Sequence, residues 1–212
     1  MNLGQLRAEV YAVCQEAGYS TTDVDGYINE AVRDVADQVT IPELKRYDTS
    51  VTVVSQAYCS LATLTGGFSG RLVRTYCDGA VIEKVYASLE LLMDAYPTMV
   101  EVGDVEAVAL EGSTLWYQKI PIVATTLSVI YYQNPATLVN DEDEPENFPF
   151  QLHRALFVAG AAAIIFDKLE DGIEGEKINT TAQLAQQARG IVKLRGYIAG
   201  RRKHFISSTW DV

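Results

Sequence analysis

Histidine is nearly missing from this 212-residue chain: His153 and His204 are the only two, far apart in sequence. Active sites usually draw on a base, a nucleophile or a metal-ligand set, and neither histidine belongs to a motif that would supply one. His153 stands between Leu152 and Arg154 at the start of a predicted helix, where capping or packing is the plain alternative to catalysis. His204 lies in a basic run and reads as solvated. Cysteine is also sparse. Cys14, Cys59 and Cys77 are odd in number and lack CxxC spacing, which argues against a disulfide framework or a zinc site and for assembly in a reducing cytosol. Each falls in a predicted helix or strand among apolar neighbours, as buried thiols do. Positive charge is in deficit, with 17 Lys and Arg against 28 Asp and Glu and a net charge of -11. General affinity for nucleic acid depends on cations that neutralise phosphates, so this balance opposes it. Long apolar runs are absent too. The longest, Ala155 to Phe166, is about twelve residues where a membrane span needs roughly twenty, so it reads as a buried helix. Its small residues from Ala159 to Ala163 would let a neighbouring helix come close. The start MNLGQLRAEV has no apolar stretch behind a basic head and is not a secretory signal.

Local motifs for chemistry are equally thin. The stretch TGGFSG has neither the lysine of a phosphate loop nor a nucleophile elbow, because Arg71 occupies the position of the last glycine. It reads as a flexible loop. The cluster Asp141, Glu142, Asp143, Glu144 and Glu146 could attract a cation, yet it lacks the central glycine and terminal glutamate of a calcium loop. An exposed, solvated acidic turn is expected there, and no metal or cofactor is implied anywhere.

What the sequence has is periodicity. Asn2 with Gln5 forms a capping pair, and Leu3, Leu6, Val10 and Val13 recur at helical spacing as far as Gly18. After a turn at Gly18 to Thr22, the residues Val24, Tyr27, Ile28, Ala31, Val32, Val35, Ala36 and Val39 mark a second amphipathic helix ending before Pro42. From Thr49 the runs TSVTVVSQ, GRLVRTYC, VEAVAL and TLWYQ are β-branched and aromatic, with a hairpin turn at Glu111 and Gly112. Leu127, Val129 and Tyr131 alternate with Thr126, Ser128 and Ile130 as one strand with unlike faces. A short helix with Leu89, Leu92, Met93 and Tyr96 on one face precedes Pro97. The proline-punctuated run 134–148 is an acidic loop, followed by helices at about 150–169 and 181–204 joined by the turn DGIEGEK. The order predicts an α+β fold, a helical bundle of N- and C-terminal helices with an inserted antiparallel sheet. Residues 1–46 and 149–204 make the helical part, 47–133 the β-rich part, and 205–212 a tail.

One charge pattern stands out. Between Lys177 and His204 there are seven Lys or Arg residues and no Asp or Glu. This is either a solvated helix face or a basic contact surface on an acidic molecule, of the kind that head-to-tail assemblies exploit.

Read together, LGQLRAEV, VDGYINEAVRDVADQ and QAYCSL, then YPTMVEVGDVEAVALEGSTLWYQKIP, LSVIYYQNPATLVNDEDEPENFP and HRALFVAGAAAIIFDKLED, are similar to the head-to-tail adaptors of short-tailed and related bacteriophages. The resemblance covers most of the chain and rests on patterns of fold, so it carries over no catalytic residue. It implies a non-enzymatic virion protein of the neck, assembled in the host cytoplasm, that binds portal protein and a tail or nozzle protein. It also implies a ring of about twelve copies through which double-stranded DNA passes without specific binding, and no membrane. The C-terminus then has a reading of its own: Arg201, Arg202 and Lys203 would steer toward acidic groups of the portal while Phe205, Ile206 and Trp210 fill apolar sites. The alternatives are a tail packed on its own sheet, a nucleic-acid module using the basic last helix, and a hydrolase whose site joins carboxylates to His153. If the acidic loop is a solvated turn or a contact surface, calorimetry gives no tight stoichiometric calcium binding. Tight binding that disappears in Asp141→Asn, Asp143→Asn would overturn that reading.

Overall fold

The computed structural model describes residues 1–15, 18–52, 54–64, 66–170 and 177–207, the last six of these by their helical backbone alone. The chain is α+β and divides into two compact units, Met1–Glu43 with Pro135–Val212, and Leu44–Asn134.

In the first unit, α1 (Leu3–Cys14) opens on the Asn2–Gln5 capping box and ends earlier than the periodicity predicts. Gln15 takes a left-handed conformation there (φ 49°) and its amide closes on the Tyr11 carbonyl, which stops the helix. Helix α2 (Thr21–Gln38) starts on a second capping box, Ser20 with Asp23, and buries Val24, Ile28, Ala31, Val32 and Val35 along one side. The expected helix from Phe150 onward is three segments: a 3-10 turn Phe150–Leu152, a π turn Arg154–Val158, and α4 (Ala159–Glu170). At the end of the π turn the Ala159 amide reaches the Arg154 and Leu156 carbonyls, and the Leu156 carbonyl also accepts from Gln187 Nε2 of α5 (Ile178–Ser207) at 3.3 Å. The predicted DGIEGEK turn before α5 lies, but for Lys177, outside the described residues.

Small residues let these helices meet. A methyl group on Gly160 would stand 2.8 Å from the Cβ of Ala31 in α2 and 2.5 Å from Gln187 Nε2 in α5. At Gly190 it would stand 3.0 Å from the Ala155 carbonyl of the π turn. The alanines of α4 thus serve the close approach that their size allows, with Ala159, Ala161, Ala162 and Ala163 all buried.

The second unit holds two four-stranded sheets where a single antiparallel one is expected. The first has the order β1 (Lys45–Val51), β8 (Thr126–Gln133), β3 (Phe68–Cys77), β4 (Ala80–Val81), all antiparallel. The second runs β2 (Tyr58–Ser60), β7 (Thr114–Tyr117), β6 (Ala107–Glu111), β5 (Lys84–Tyr86), and its β5–β6 pair is parallel. The reason is α3 (Leu89–Ala95), which carries the chain from β5 back to the start of β6 and so forms a crossover that a hairpin cannot replace. Strand β1 begins before the predicted run and stops at Val51, so of TSVTVVSQ the described residues Thr52, Val54, Ser55 and Gln56 are not strand. The β6–β7 hairpin turns on Gly112 and Ser113, with Gly112 at φ 59° and Glu111 still paired to Thr114.

The core of this unit follows the strand alternation. Leu127, Val129 and Tyr131 of β8 pack with Val108, Leu115 and Tyr117 of the second sheet. The opposite face of β6, Ala107 and Ala109, is small enough to seat α3, whose Leu92 is buried against it beside Trp116. Met93, expected on the same face as Leu92, is exposed, because a helix of seven residues offers only a narrow stripe to the sheet.

Gly160→Val is expected to destabilise the chain by about 1–3 kcal/mol through overpacking. Gly196→Ala, with open space around it, should stabilise by roughly 0.5–1 kcal/mol through helix propensity. Urea unfolding checks both; equal and small effects would refute the close approach at Gly160.

Candidate functional site

The acidic loop is exposed at Asp141, Glu142, Glu144 and Glu146, but it is tied down from within. Four amides at the start of any helix lack partners inside it. Here Leu3 N–H donates to the Asp143 carbonyl (2.8 Å) and Gly4 N–H to the Asp141 carbonyl (3.1 Å). The Asp143 side chain turns back and accepts from the backbone N–H groups of Asn140 (2.8 Å) and Val139 (2.7 Å). These bonds hold its carboxyl below the ordinary aspartate value. Arg7 fixes the loop from the side of α1: its guanidinium grips both Asp25 oxygens (2.7 and 2.8 Å) and reaches Asp141 at 2.9 Å. Hydrogen bonding to Asp25 leads the causes that raise the Arg7 pKa. Asn29, nearly buried, completes the attachment by donating to the Leu138 carbonyl (2.9 Å) and accepting from the Leu138 amide (2.8 Å).

His153 lies immediately behind this loop and is 2% exposed. Its Nε2 is 3.1 Å from the Phe148 carbonyl and its Nδ1 3.1 Å from the Met1 amine. The Nε2–H therefore donates to Phe148, while Nδ1 accepts. Phe150 and Phe157 rings lie beside it, at centroid distances of 5.6 and 5.4 Å. Burial pushes the imidazole below its ordinary pKa. Packing, the plain reading of the sequence, describes this residue: a neutral ring with both nitrogens engaged has no free edge for a substrate. Among the cysteines only Cys59 is fully buried, while Cys14 and Cys77 are half-buried. Burial pushes the Cys59 and Cys77 thiols up, away from the reactive thiolate. Among the described residues no group of three or more His, Cys, Asp or Glu is placed to hold a metal.

The basic run lies along α5. Lys177 pairs with Asp167 at 2.8 Å, and Arg195 donates to the carbonyl of Gln38, the last residue of α2, where the helix dipole favours a cation. Arg201 pairs with Glu43 and lies over the Tyr197 ring, 5.6 Å from its centroid. Arg189 and Lys193 are exposed. Of the residues expected to meet the portal, Arg201 stands on the last fully described turn, beside a groove lined by Ile41, Leu194, Tyr197 and Ile198. Arg202, Lys203, Phe205 and Ile206 continue the helix in backbone, and Trp210 lies outside the described residues. Arg7, Asp25 and Asn29, which hold the loop in place, escape the sequence reading because Arg7 and Asn29 reach Asp141 and Leu138 more than a hundred residues away and no local spacing marks the Arg7–Asp25 pair.

Residues 1–204 match the model of a family described as SU10 adaptor protein. The chain belongs to that family. The resemblance to phage head-to-tail adaptors drawn from the sequence is the same assignment, and it places this family member among structural adaptors of phage particles. No curated protein matches it. Among the described residues no helix is long and apolar enough to cross a membrane.

The lowered His153 pKa fixes the sign of a pH effect. The folded chain binds its proton only below the pH at which the unfolded chain does, so stability is full above about 6.5 and declines as the pH falls from there toward the folded value. Urea midpoints of the wild type should fall between pH 7 and pH 5.5, and those of His153→Gln should fall less. Parallel pH dependence in the two proteins would refute the assignment.

Proposed function

We propose that this adaptor forms a ring of about twelve copies beneath the portal, joins capsid to tail or nozzle, and extends the channel for double-stranded DNA. The match to the SU10 adaptor family across residues 1–204 carries this reading. The charge of the chain supports it, because a net -11 surface gives a sliding polyanion little to bind. The protein then belongs to the neck of the virion and assembles in the host cytoplasm. No step requires catalysis, and the enclosed His153 gives the hydrolase alternative no accessible base. The exposed carboxylates Asp141, Glu142, Glu144 and Glu146 repel DNA or meet a neighbouring subunit, with Asp143 holding the loop in shape.

Portal binding falls to the C-terminal end. Arg202 and Lys203 steer toward acidic groups, and Phe205, Ile206 and Trp210 fill apolar pockets. Arg201 joins them from a turn already anchored at Glu43. Removal of Phe205 to Val212 is expected to leave a folded chain of nearly unchanged melting temperature that no longer binds the portal of its own phage. An unfolded product, or one that binds portal as well as the full chain does, would overturn the docking role.

A further inference from the structure

Two outward helix faces of the helical unit carry opposite charge. On α2 the buried side is set by Val24, Ile28, Val32 and Val35, so Glu30 and Asp34 point away from the core, and both are exposed. Desolvation leads the causes that raise the Asp34 pKa, with the carboxylates of Glu30 and Asp37 adding to it and Arg33 opposing. Two cations stand near, Arg33 acting on Asp34 and Lys168 on Glu30, but neither forms an ion pair there: Arg33 Nε donates to the Asn29 carbonyl and Lys168 Nζ to the Tyr27 hydroxyl. On α5 the buried side is set by Gln187, Ile191 and Leu194, so Arg189, Val192 and Lys193 point outward. Val192 is 66% exposed. Among the described residues, Arg189 and Lys193 are paired with no carboxylate.

We infer that the α5 face of one copy, Arg189, Val192 and Lys193, docks on the α2 face of the next copy, Glu30 and Asp34. The two faces are different surfaces of one chain, so the contact is head-to-tail and propagates from copy to copy until a rotation closes it. Charge complementarity also answers a difficulty that the composition raises. Copies of net charge -11 repel one another, and association needs a local site where the sign is reversed and an apolar side chain is covered. This inference rests on the ring proposed above and names the surfaces that build it.

Charge reversal tests it, with wild type and variants each mixed with the portal of the same phage and the copies per portal counted by imaging and mass. All substituted positions are exposed, and circular dichroism should show every variant folded. Arg189→Glu with Lys193→Glu is expected to lose the ring, and Glu30→Lys with Asp34→Lys to lose it as well. The chain carrying all four substitutions should regain it, and so should an equimolar mixture of the two defective variants, by alternating around an even ring. A ring that survives either reversal, or that the fourfold variant fails to regain, overturns the assignment of these faces. If the wild type itself forms no ring on portal, the adaptor-ring reading fails, a result distinguishable because it involves no variant.

Discussion

The helical unit depends on a buried amide. The chain leaves this unit after Glu43 and re-enters it at Pro135, and something must tell the returning segment where to lie. Asn29 does so by pairing both ends of its side-chain amide with the backbone of Leu138. An unpaired buried polar group costs about 1–3 kcal/mol, so both partners hold the register through the penalty for leaving it. From Leu138 the loop runs past Val139 and Asn140, folded by the Asp143 carboxylate, to the carbonyls that cap α1. The position of α1 is thus set by a loop more than a hundred residues downstream. Arg7 closes the same circuit through Asp25 and Asp141.

This circuit changes the meaning of the acidic run. Its carboxylates face solvent, while its backbone and Asp143 satisfy groups that the helices leave open. One segment therefore supplies both a negative surface and a structural clamp. The division of labour is economical because a loop's side chains and carbonyls point in different directions, so neither duty interferes with the other. The same separation appears in α5. Gln187, Gly190 and Leu194 serve the interior, and Arg189 and Lys193 lie on the opposite side of the same turns.

In the β-rich unit, a single short helix decides the topology. With α3 between β5 and β6, the two strands run parallel and the sheet becomes mixed. The alanines at 107 and 109 are small because a helix must sit on them, and Val108 between them serves the other core.

The amino-acid sequence determined by itself the features that depend on neighbours in the chain. The two capped N-terminal helices, the two-faced strand β8, the short helix before Pro97 and the α+β class all follow from periods of 3.6 or 2 and from side chains three positions apart. The adaptor family was legible for the same reason, since its pattern is one of ordered elements. Tertiary structure alone decided what depends on distant partners. The π turn at Arg154–Val158 exists where Gln187 and Gly190 of another helix meet it, and no residue within the turn announces it. The parallel β5–β6 pair required knowing that Lys84–Tyr86 is a strand, which three residues of weak pattern cannot state. The opposed charges of α2 and α5 were present as letters, but only burial of the other face of each helix showed that they point outward. Local chemistry is written along the chain; the choice of which face meets water is made by what packs behind it.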